Sequence, residues 1–160
     1  IEYHVGDGEH VPLSDSSVDV VTFAGSLSYA KSTALLAELQ RVCQPKAHVV
    51  VYDFEVLLEK SLEQLGIEMD LVESNYDHAI NFSDCEGFQA VNVYKETVEL
   101  EVSAEELAHV LFSSSKRYSK LAEAFAGDDP FVNAVEALKQ HNQKHVIQAD
   151  TYFAMYQINI

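Results

Sequence analysis

The chain has little positive charge. Its 160 residues include 10 lysines and arginines against 26 aspartates and glutamates, which gives a net charge of −16. A surface this acidic repels the phosphates of nucleic acids and of anionic lipids. The densest basic stretch, residues 116–120, is short and is typical of a solvated helix face. We therefore expect neither nucleic acid nor a membrane surface among the partners.

Cysteine and long apolar runs are also scarce. Cys43 and Cys85 match no metal-site or disulfide spacing, and the seven histidines do not cluster as ligands. No apolar run approaches the roughly 18 residues that a membrane-spanning helix needs. We expect no metal site, and the cytoplasm is the default location. Apolar residues still make up 48% of the chain, which is enough for the core of one domain.

The apolar pattern of the first third predicts an α/β fold. Val18–Ala24 is nearly all apolar, which is typical of a strand covered on both faces. A helix capped by Ser32 or Thr33 should follow and run to about Val42. Val49–Tyr52 is a second strand of the buried type. Strand, helix and strand at this spacing predict one right-handed crossover between two parallel strands.

The rest of the chain alternates helices with long strands. Residues 68–84 read as irregular and acidic, whereas residues 88–102 alternate in part and predict a strand with one wet face. Ser103 and Glu106 have capping-box spacing, and Asp129 followed by Pro130 marks another helix start. Further elements are predicted as helices over residues 56–65, 103–112, 116–126 and 130–141, and as a final strand over residues 146–160.

Two segments carry a resemblance to a known family. The first is Glu2-Tyr3-His4-Val5 as a short strand, the acidic turn Gly6-Asp7-Gly8-Glu9, Pro12-Leu13, and the strand Val18–Phe23. The second is Glu38–Ala47, which is similar to a helix end written E-x-x-R-V-L-x-P-G-G. Both resemble the middle of a class I S-adenosylmethionine-dependent methyltransferase.

This resemblance implies a fold. It is a partial Rossmann-like methyltransferase sheet, with parallel strands plus a C-terminal antiparallel pair and with helices on the faces. The chain would be a single domain, 1–160, that forms the C-terminal portion of the methyltransferase fold. Residues 56–87 and 103–142 would form a helical and irregular cover over the site.

The resemblance also implies a cofactor, S-adenosylmethionine. The Asp7 carboxylate would accept from the adenine amino group, and Gly8 would let the backbone approach the ring. Ala24, Gly25 and Ser26 would line the cofactor where the first parallel strand ends. The alternative is that Gly-Asp-Gly-Glu is an ordinary turn and that Gly25 only serves a strand-to-helix connection.

Four aromatic side chains are candidates for contact with a substrate. They are Tyr29, Tyr76, His78 and Tyr118, although such side chains more often serve core packing. No catalytic base is assigned. Asp53 ends the second strand and either faces the site or caps a helix.

Two features depart from the family. Lys46-Ala47 replaces two glycines in a turn that normally takes positive φ, which indicates either a changed turn or relaxed selection on its geometry. The glycine-rich loop that holds the methionine end of the cofactor has no counterpart among the 160 residues.

These departures leave more than one function open. We expect a methyltransferase-like protein that acts on a small molecule and is truncated and inactive alone. The alternative is a stand-alone, non-catalytic binding or assembly domain that forms a homodimer. In either case the strand edge at 18–24 would pair with a second copy or with a missing N-terminal half, or Glu2–Val5 would occupy the vacant place. A third reading is an unrelated α+β ligand-binding domain.

Overall fold

A computed structural model describes residues 2–69 and 75–159 and contains one mixed sheet. The sheet order is β1-β2-β4-β3. Its strands are β1 (Val18–Ala24), β2 (Cys43–Leu57), β3 (Phe88–Ser103) and β4 (Lys144–Ile158). The helices are α1 (Leu27–Ala30), α2 (Thr33–Val42), α3 (Glu59–Gln64), α4 (Ala104–Phe112), α5 (Ser115–Ala124) and α6 (Pro130–His141).

The first two strands and the helices between them form the predicted crossover. β1 and β2 are parallel, in a register that pairs Val20 with His48 and Ala24 with Tyr52. The helix between them, α2, begins where the Ser32 hydroxyl accepts from the Leu35 amide at 3.0 Å. This cap satisfies one of the amides that the first turn of a helix leaves unpaired. Ser32 is therefore the cap, and the parallel pair is confirmed.

The last two strands in the sheet order, β4 and β3, are antiparallel. Thr97 donates to Asp150 at 2.6 Å, and Gln148 donates to Glu99 at 3.0 Å. The residue numbers on β3 thus increase while those of their partners on β4 decrease, which is the antiparallel pattern. A parallel pair followed by an antiparallel pair, with helices, is the α/β fold class that the sequence predicted.

The described residues form two compact units. The first comprises residues 2–55, 75–96 and 151–159. Its core contains apolar side chains of α2, β1, β2 and β4 together with two phenylalanines, and Phe82 stacks on Phe88 with ring centroids 4.6 Å apart. The largest buried members are Phe82, Tyr156, Leu27, Leu35, Ile158 and Val49.

The second unit comprises residues 56–69 and 97–150. Its core is formed by leucines that repeat on the inner faces of α4, α5 and α6, namely Leu107, Leu111, Leu121 and Leu138. Ser103 and Glu106 form the predicted capping box, and the Asp129 side chain accepts from the first amides of α6. The expectation of one domain over the whole chain stays a prediction.

Three expectations about local structure are wrong. Glu2–Val5 forms no strand, because a strand needs a neighbour for its backbone groups and these residues pair with no described strand. β1 is not covered on both faces, since Phe23 is its only buried residue and Val20 is 55% exposed. The helix expected over 56–65 begins at Glu59, because β2 continues to Leu57.

Other boundaries differ only at their ends. β4 begins at Lys144 and ends at Ile158, whereas Ile160 of the predicted strand lies outside the described residues. Residues 70–74 of the predicted cover also lie outside them. Within the described ranges, no helix is both long and apolar enough to cross a membrane.

Candidate functional site

The site is built where β1 and β2 end. Gly25 follows the last residue of β1, and its amide donates to the Tyr52 carbonyl at 2.9 Å. Its φ of 59° lies in the left-handed region, which favours glycine. Asp53, the next residue of β2, lies beside it, since a Cβ on Gly25 would come 3.4 Å from Asp53 Oδ1. The carboxyl ends of parallel strands therefore bring a bare backbone and a carboxylate together.

Asp53 is the centre of a hydrogen-bonded cluster. The Tyr76 hydroxyl donates to Asp53 Oδ2 at 2.5 Å, and His78 Nδ1 lies 3.1 Å from the same oxygen. The Asp53 side chain is only 14% exposed. Asp53 lies within β2, which continues to Leu57, so it does not cap a helix. The helix-cap interpretation is therefore wrong, and the side chain faces the site.

Tyr76 joins this carboxylate to the end of β1. Its hydroxyl lies 2.7 Å from the Gly25 carbonyl oxygen as well as 2.5 Å from Asp53. Burial and the hydrogen bond to Asp53 raise the pKa of Tyr76 to about 12. The phenol therefore keeps its proton at neutral pH and acts as a donor that two acceptors share.

Aromatic rings surround the cluster. Tyr29 lies 4.9 Å from Tyr76 between centroids, and His78 meets the same ring edge-on at 4.6 Å. Tyr152 of β4 lies nearly parallel to the His78 ring at 6.2 Å, and Lys95 Nζ lies 5.0 Å above the Tyr152 ring. Three of the four predicted substrate residues thus come together in the first unit.

The fourth, Tyr118, lies in the second unit. It belongs to α5, and its ring packs edge-on against Phe112 with centroids 5.7 Å apart. That contact fits the packing role that the sequence left open for it. A role for Tyr118 in substrate binding stays a prediction.

A cleft opens beside Asp53 and His78. Its volume is about 280 Å³, and its lining includes Val51, Asp53, His78, Tyr94, Lys95 and Tyr152. Apolar walls with a few convergent polar groups are typical of small-molecule sites. Among the described residues no group of three or more histidine, cysteine, aspartate or glutamate side chains is arranged to hold a metal ion.

In the acidic turn before β1, only one of the two Asp7 carboxylate oxygens has a hydrogen-bond partner among the described residues. Asp7 Oδ1 accepts from the Glu9 amide at 3.0 Å and lies 3.1 Å from His10 Nδ1. Asp7 Oδ2 has no hydrogen bond among the described residues. The hydrogen bond from His10, with that from the Glu9 amide, holds the pKa of Asp7 below its ordinary value. An ionised oxygen is therefore available to accept from a ligand, as the predicted contact with an adenine amino group requires.

Helix α2 holds this turn in place. The Ser32 hydroxyl donates to Glu9 Oε1 at 2.6 Å while it caps the helix. A Cβ on Gly8 would lie only 3.1 Å from Leu35 Cδ1, so the backbone packs closely against the helix. Glycine at this position thus serves packing against α2.

Glu38 and Arg41 extend that attachment to residues 11–15. The Val11 amide donates to Glu38 at 2.7 Å, and Arg41 bonds both Glu38 oxygens at 2.7 and 2.8 Å. Arg41 also donates to the Leu13 carbonyl at 2.9 Å and to Asp15 at 2.6 Å. The guanidinium and the Val11 amide together lower the pKa of Glu38 to about 2. The E-x-x-R pair therefore fixes the loop that carries the turn.

The turn at Lys46 keeps a backbone that usually requires glycine. Lys46 has a φ of 69°, so the expectation of a changed turn is wrong at this residue. Its carbonyl is also within 3.4 Å of Gln157 Nε2 on β4. Lysine therefore occupies a backbone conformation that costs an L-residue energy.

The remaining predicted cofactor residues lie at the same end of β1. Ala24 and Ser26 are exposed and Gly25 is half-buried, so all three are accessible. Their contact with a cofactor stays a prediction. Sequence reasoning missed Tyr152 and Lys95, which come from the last two strands. No local signal marks them, because only long-range strand pairing brings them beside Asp53.

Comparisons with known proteins agree with this geometry. A family model described as "Methyltransferase domain" matches residues 1–51. A candidate type II methyltransferase from Anaeromyxobacter dehalogenans has a similar structure, with a TM-score of 0.61 and 16% identity over 99% of this chain and 71% of its own. A candidate methyltransferase from Bacillus halodurans gives a TM-score of 0.51 and 13% identity, over 100% of this chain and 78% of its own.

No curated protein matches the sequence significantly. At these identities the two solved structures show the fold alone, and the family model supplies the sequence match in the segment that holds the acidic turn and β1. Residues 1–51 thus match a methyltransferase-domain family model, and the chain as a whole has the fold of two methyltransferase-type structures.

Proposed function

We propose that this protein takes part in methyl transfer from S-adenosylmethionine to a small molecule. The observation that carries the proposal is the cluster of Asp53, Tyr76 and His78 beside Gly25, at the carboxyl ends of β1 and β2. Open α/β sheets bind their ligands at this edge. The adjoining cleft, at about 280 Å³, is near the lower end of the ligand-pocket range and suits a small acceptor.

The cofactor would contact the chain at two places. Asp7 Oδ2 would accept from the adenine amino group, and residues 24–26 would line the sulfonium end. S-adenosylmethionine supplies an activated methyl group, whose transfer depends on in-line positioning against the acceptor. Because the 160 residues contain no glycine-rich loop, we propose that this chain alone binds the cofactor weakly and is inactive until that loop is supplied.

Calorimetry tests the cofactor role. The 160-residue chain is titrated with S-adenosylmethionine and S-adenosylhomocysteine at up to millimolar concentration. Asp7→Ala should weaken binding by about tenfold or more, since a hydrogen bond to a charged group contributes roughly 1.5–3 kcal/mol. Asp128→Ala, which removes an exposed acid from the second unit, is the matched control and should leave binding unchanged. Absence of binding by the unaltered chain at millimolar cofactor would refute the role.

One observation favours assembly as a second candidate function. Among the described strands β1 has β2 as its only neighbour, and Val20 on β1 is 55% exposed. An open apolar edge is a template for pairing with another strand. We propose a second copy of the chain as the partner that forms a homodimer through residues 18–24, with a separate N-terminal half as the other occupant.

Light scattering across a concentration series tests this pairing. Val20→Lys should shift the chain towards the monomer, because charged side chains oppose edge-to-edge association. Val132→Lys is the control, since Val132 is 50% exposed and belongs to a helix, α6. A monomer at the highest concentration would count against the homodimer.

A further inference from the structure

Among the residues that the structure describes, one ring nitrogen of the site has no hydrogen-bond partner. His78 Nδ1 lies 3.1 Å from Asp53 Oδ2, and the imidazole lines the cleft. No other hydrogen bond reaches the ring from the described residues, so Nε2 is unpaired within that part of the chain. The side chain is 29% exposed, which leaves the nitrogen accessible from the cleft.

We infer that His78 is the proton acceptor of this site and that Asp53 is the residue that positions it. The inference rests on the proposed function and narrows its substrate class. The acceptor would be a neutral molecule whose nucleophilic atom carries a proton that must leave, as in a hydroxyl group or an N–H group.

The hydrogen-bond geometry fixes which nitrogen accepts. A carboxylate offers only acceptors, so the ring nitrogen facing Asp53 must carry hydrogen. In a neutral imidazole the other nitrogen, Nε2, then holds a lone pair. Tyr76 strengthens the arrangement because its hydroxyl donates to the same Asp53 oxygen at 2.5 Å and so restrains the carboxylate. This is the relation by which an aspartate orients a histidine base.

Rings hold the imidazole from two elements. Tyr76 meets its edge at 4.6 Å, and Tyr152 of β4 stacks on it at 6.2 Å. The titratable groups around this region are Asp53 and Tyr52 on β2, Tyr94 and Lys95 on β3, Tyr152 on β4, and the side chains of Tyr29 and Tyr76. The imidazole is thus fixed in orientation with Nε2 directed to solvent or substrate.

The proton transfer balances with the established donor chemistry of the family. A lone pair on the acceptor forms the new bond to the methyl carbon, and the carbon–sulfur bond breaks with its electron pair returning to sulfur. The methylated acceptor atom then carries the positive charge that the sulfonium has lost. It becomes neutral when His78 Nε2 takes its proton. No further oxidant, reductant or co-reactant is needed.

The tautomer of His78 is the first test. In ¹⁵N-histidine-labelled chain above pH 8, the His78 resonances should show a protonated Nδ1 and an unprotonated Nε2, assigned by their loss in His78→Gln. Asp53→Asn should abolish this pattern, because an amide can donate to Nδ1 and reverse the tautomer. Tyr76→Phe keeps the carboxylate and should retain the pattern, which separates the pairing from a general loss of structure.

The chain contains a matched control pair. His10 Nδ1 also lies 3.1 Å from a carboxylate, Asp7, but its side chain is 84% exposed. Water competes for an exposed hydrogen bond, so Asp7→Asn should change the His10 tautomer little. If Asp53→Asn changed the His78 tautomer as little as Asp7→Asn changes that of His10, the pairing of His78 with Asp53 would be overturned.

The free lone pair is the second test, with diethyl pyrocarbonate as the probe. His78 should be modified at Nε2 in the unaltered chain, as mapped by mass spectrometry, and this modification should be lost or slowed in Asp53→Asn. A His78 that does not react in the unaltered chain would overturn its assignment as the proton acceptor.

Cofactor calorimetry distinguishes the two proposals. His78→Gln should bind S-adenosylmethionine as the unaltered chain does, because a base contacts the methyl acceptor and not the cofactor. A chain that binds no cofactor but shows the His78 signature would refute methyl transfer and leave the base in place. A chain that binds cofactor with His78 in the other tautomer would overturn the base alone.

Discussion

Lys46→Gly should stabilise the protein. Lys46 has a φ of 69°, and its exposed side chain makes no hydrogen bond or ion pair among the described residues. Gly66, which follows α3, has nearly the same φ of 68°, and no described residue lies within 4 Å of where a Cβ would be. The two positions therefore measure the free-energy cost of a side chain on a left-handed backbone. A change to glycine at Lys46 removes that cost, and a change from glycine at Gly66 adds it.

The expected magnitude follows from two opposing contributions. A left-handed backbone costs an L-residue roughly 1–2 kcal/mol. Glycine gives back about 0.4–1 kcal/mol of that, because it has more freedom in the unfolded chain. Lys46→Gly should therefore raise the free energy of unfolding by about 0.5–1 kcal/mol, and Gly66→Ala should lower it by a similar amount. For a chain of this size the melting temperature would move by about 1–4 °C in each direction.

Thermal unfolding followed by circular dichroism measures both changes. Ala47→Gly is the control beside Lys46, since Ala47 is 4% exposed and its truncation should destabilise. The reasoning would be refuted if Lys46→Gly lowered the melting temperature, or if Gly66→Ala left it unchanged. Either result would mean that φ at these turns does not determine the energy of the substitution.

Two further predictions concern the site and its support. Gly25→Ala should lower the free energy of unfolding by about 1 kcal/mol in urea titrations, because alanine is strained at a φ of 59°, and an unchanged midpoint would contradict the strain. Glu38 has a pKa lowered from 4.5 to about 2, so its contribution to stability is present above pH 4.5 and is lost as the pH falls towards 2. Glu38→Gln should flatten that dependence of the urea midpoint, whereas a slope equal to the unaltered chain's would exclude the Glu38–Arg41 pair as its source.

Local sequence signals predicted the elements whose ends depend only on residues close in sequence. Ser32, Ser103 and Asp129 cap helices at the expected residues, because a cap and the amides it satisfies are within three residues of each other. The crossover between β1 and β2 was predictable for a similar reason, since chirality leaves one connection for two parallel strands at that spacing. Boundaries that depend on a neighbouring strand, such as the extension of β2 to Leu57, were not.

Exposure was less predictable than element type. The apolar residues of β1 read as a fully covered strand, yet Val20 is 55% exposed. A run of valines indicates a strand, but it does not show whether one or both faces of that strand are buried. The prediction of a strand at Glu2–Val5 was wrong for a related reason. Strand propensity alone does not form a strand when the backbone has no partner for its hydrogen bonds.

The sequence by itself determined the class of this protein. The acidic turn, the β1 pattern and the E-x-x-R helix end indicated the methyltransferase fold, and Tyr29, Tyr76 and His78 were marked as substrate candidates. Those inferences depend on residue types at short, fixed spacings, and such spacings can be read directly from the sequence.

Only the tertiary structure decided what Asp53 does. From its neighbours alone Asp53 also suited a helix cap, but the parallel pairing of β1 with β2 places it beside Gly25. Tyr76 and His78 reach it from later in the chain. The partners are 23 and 25 residues away along the chain. A hydrogen-bonded cluster formed over such separations depends on where the backbone is brought together, which residue spacing does not encode.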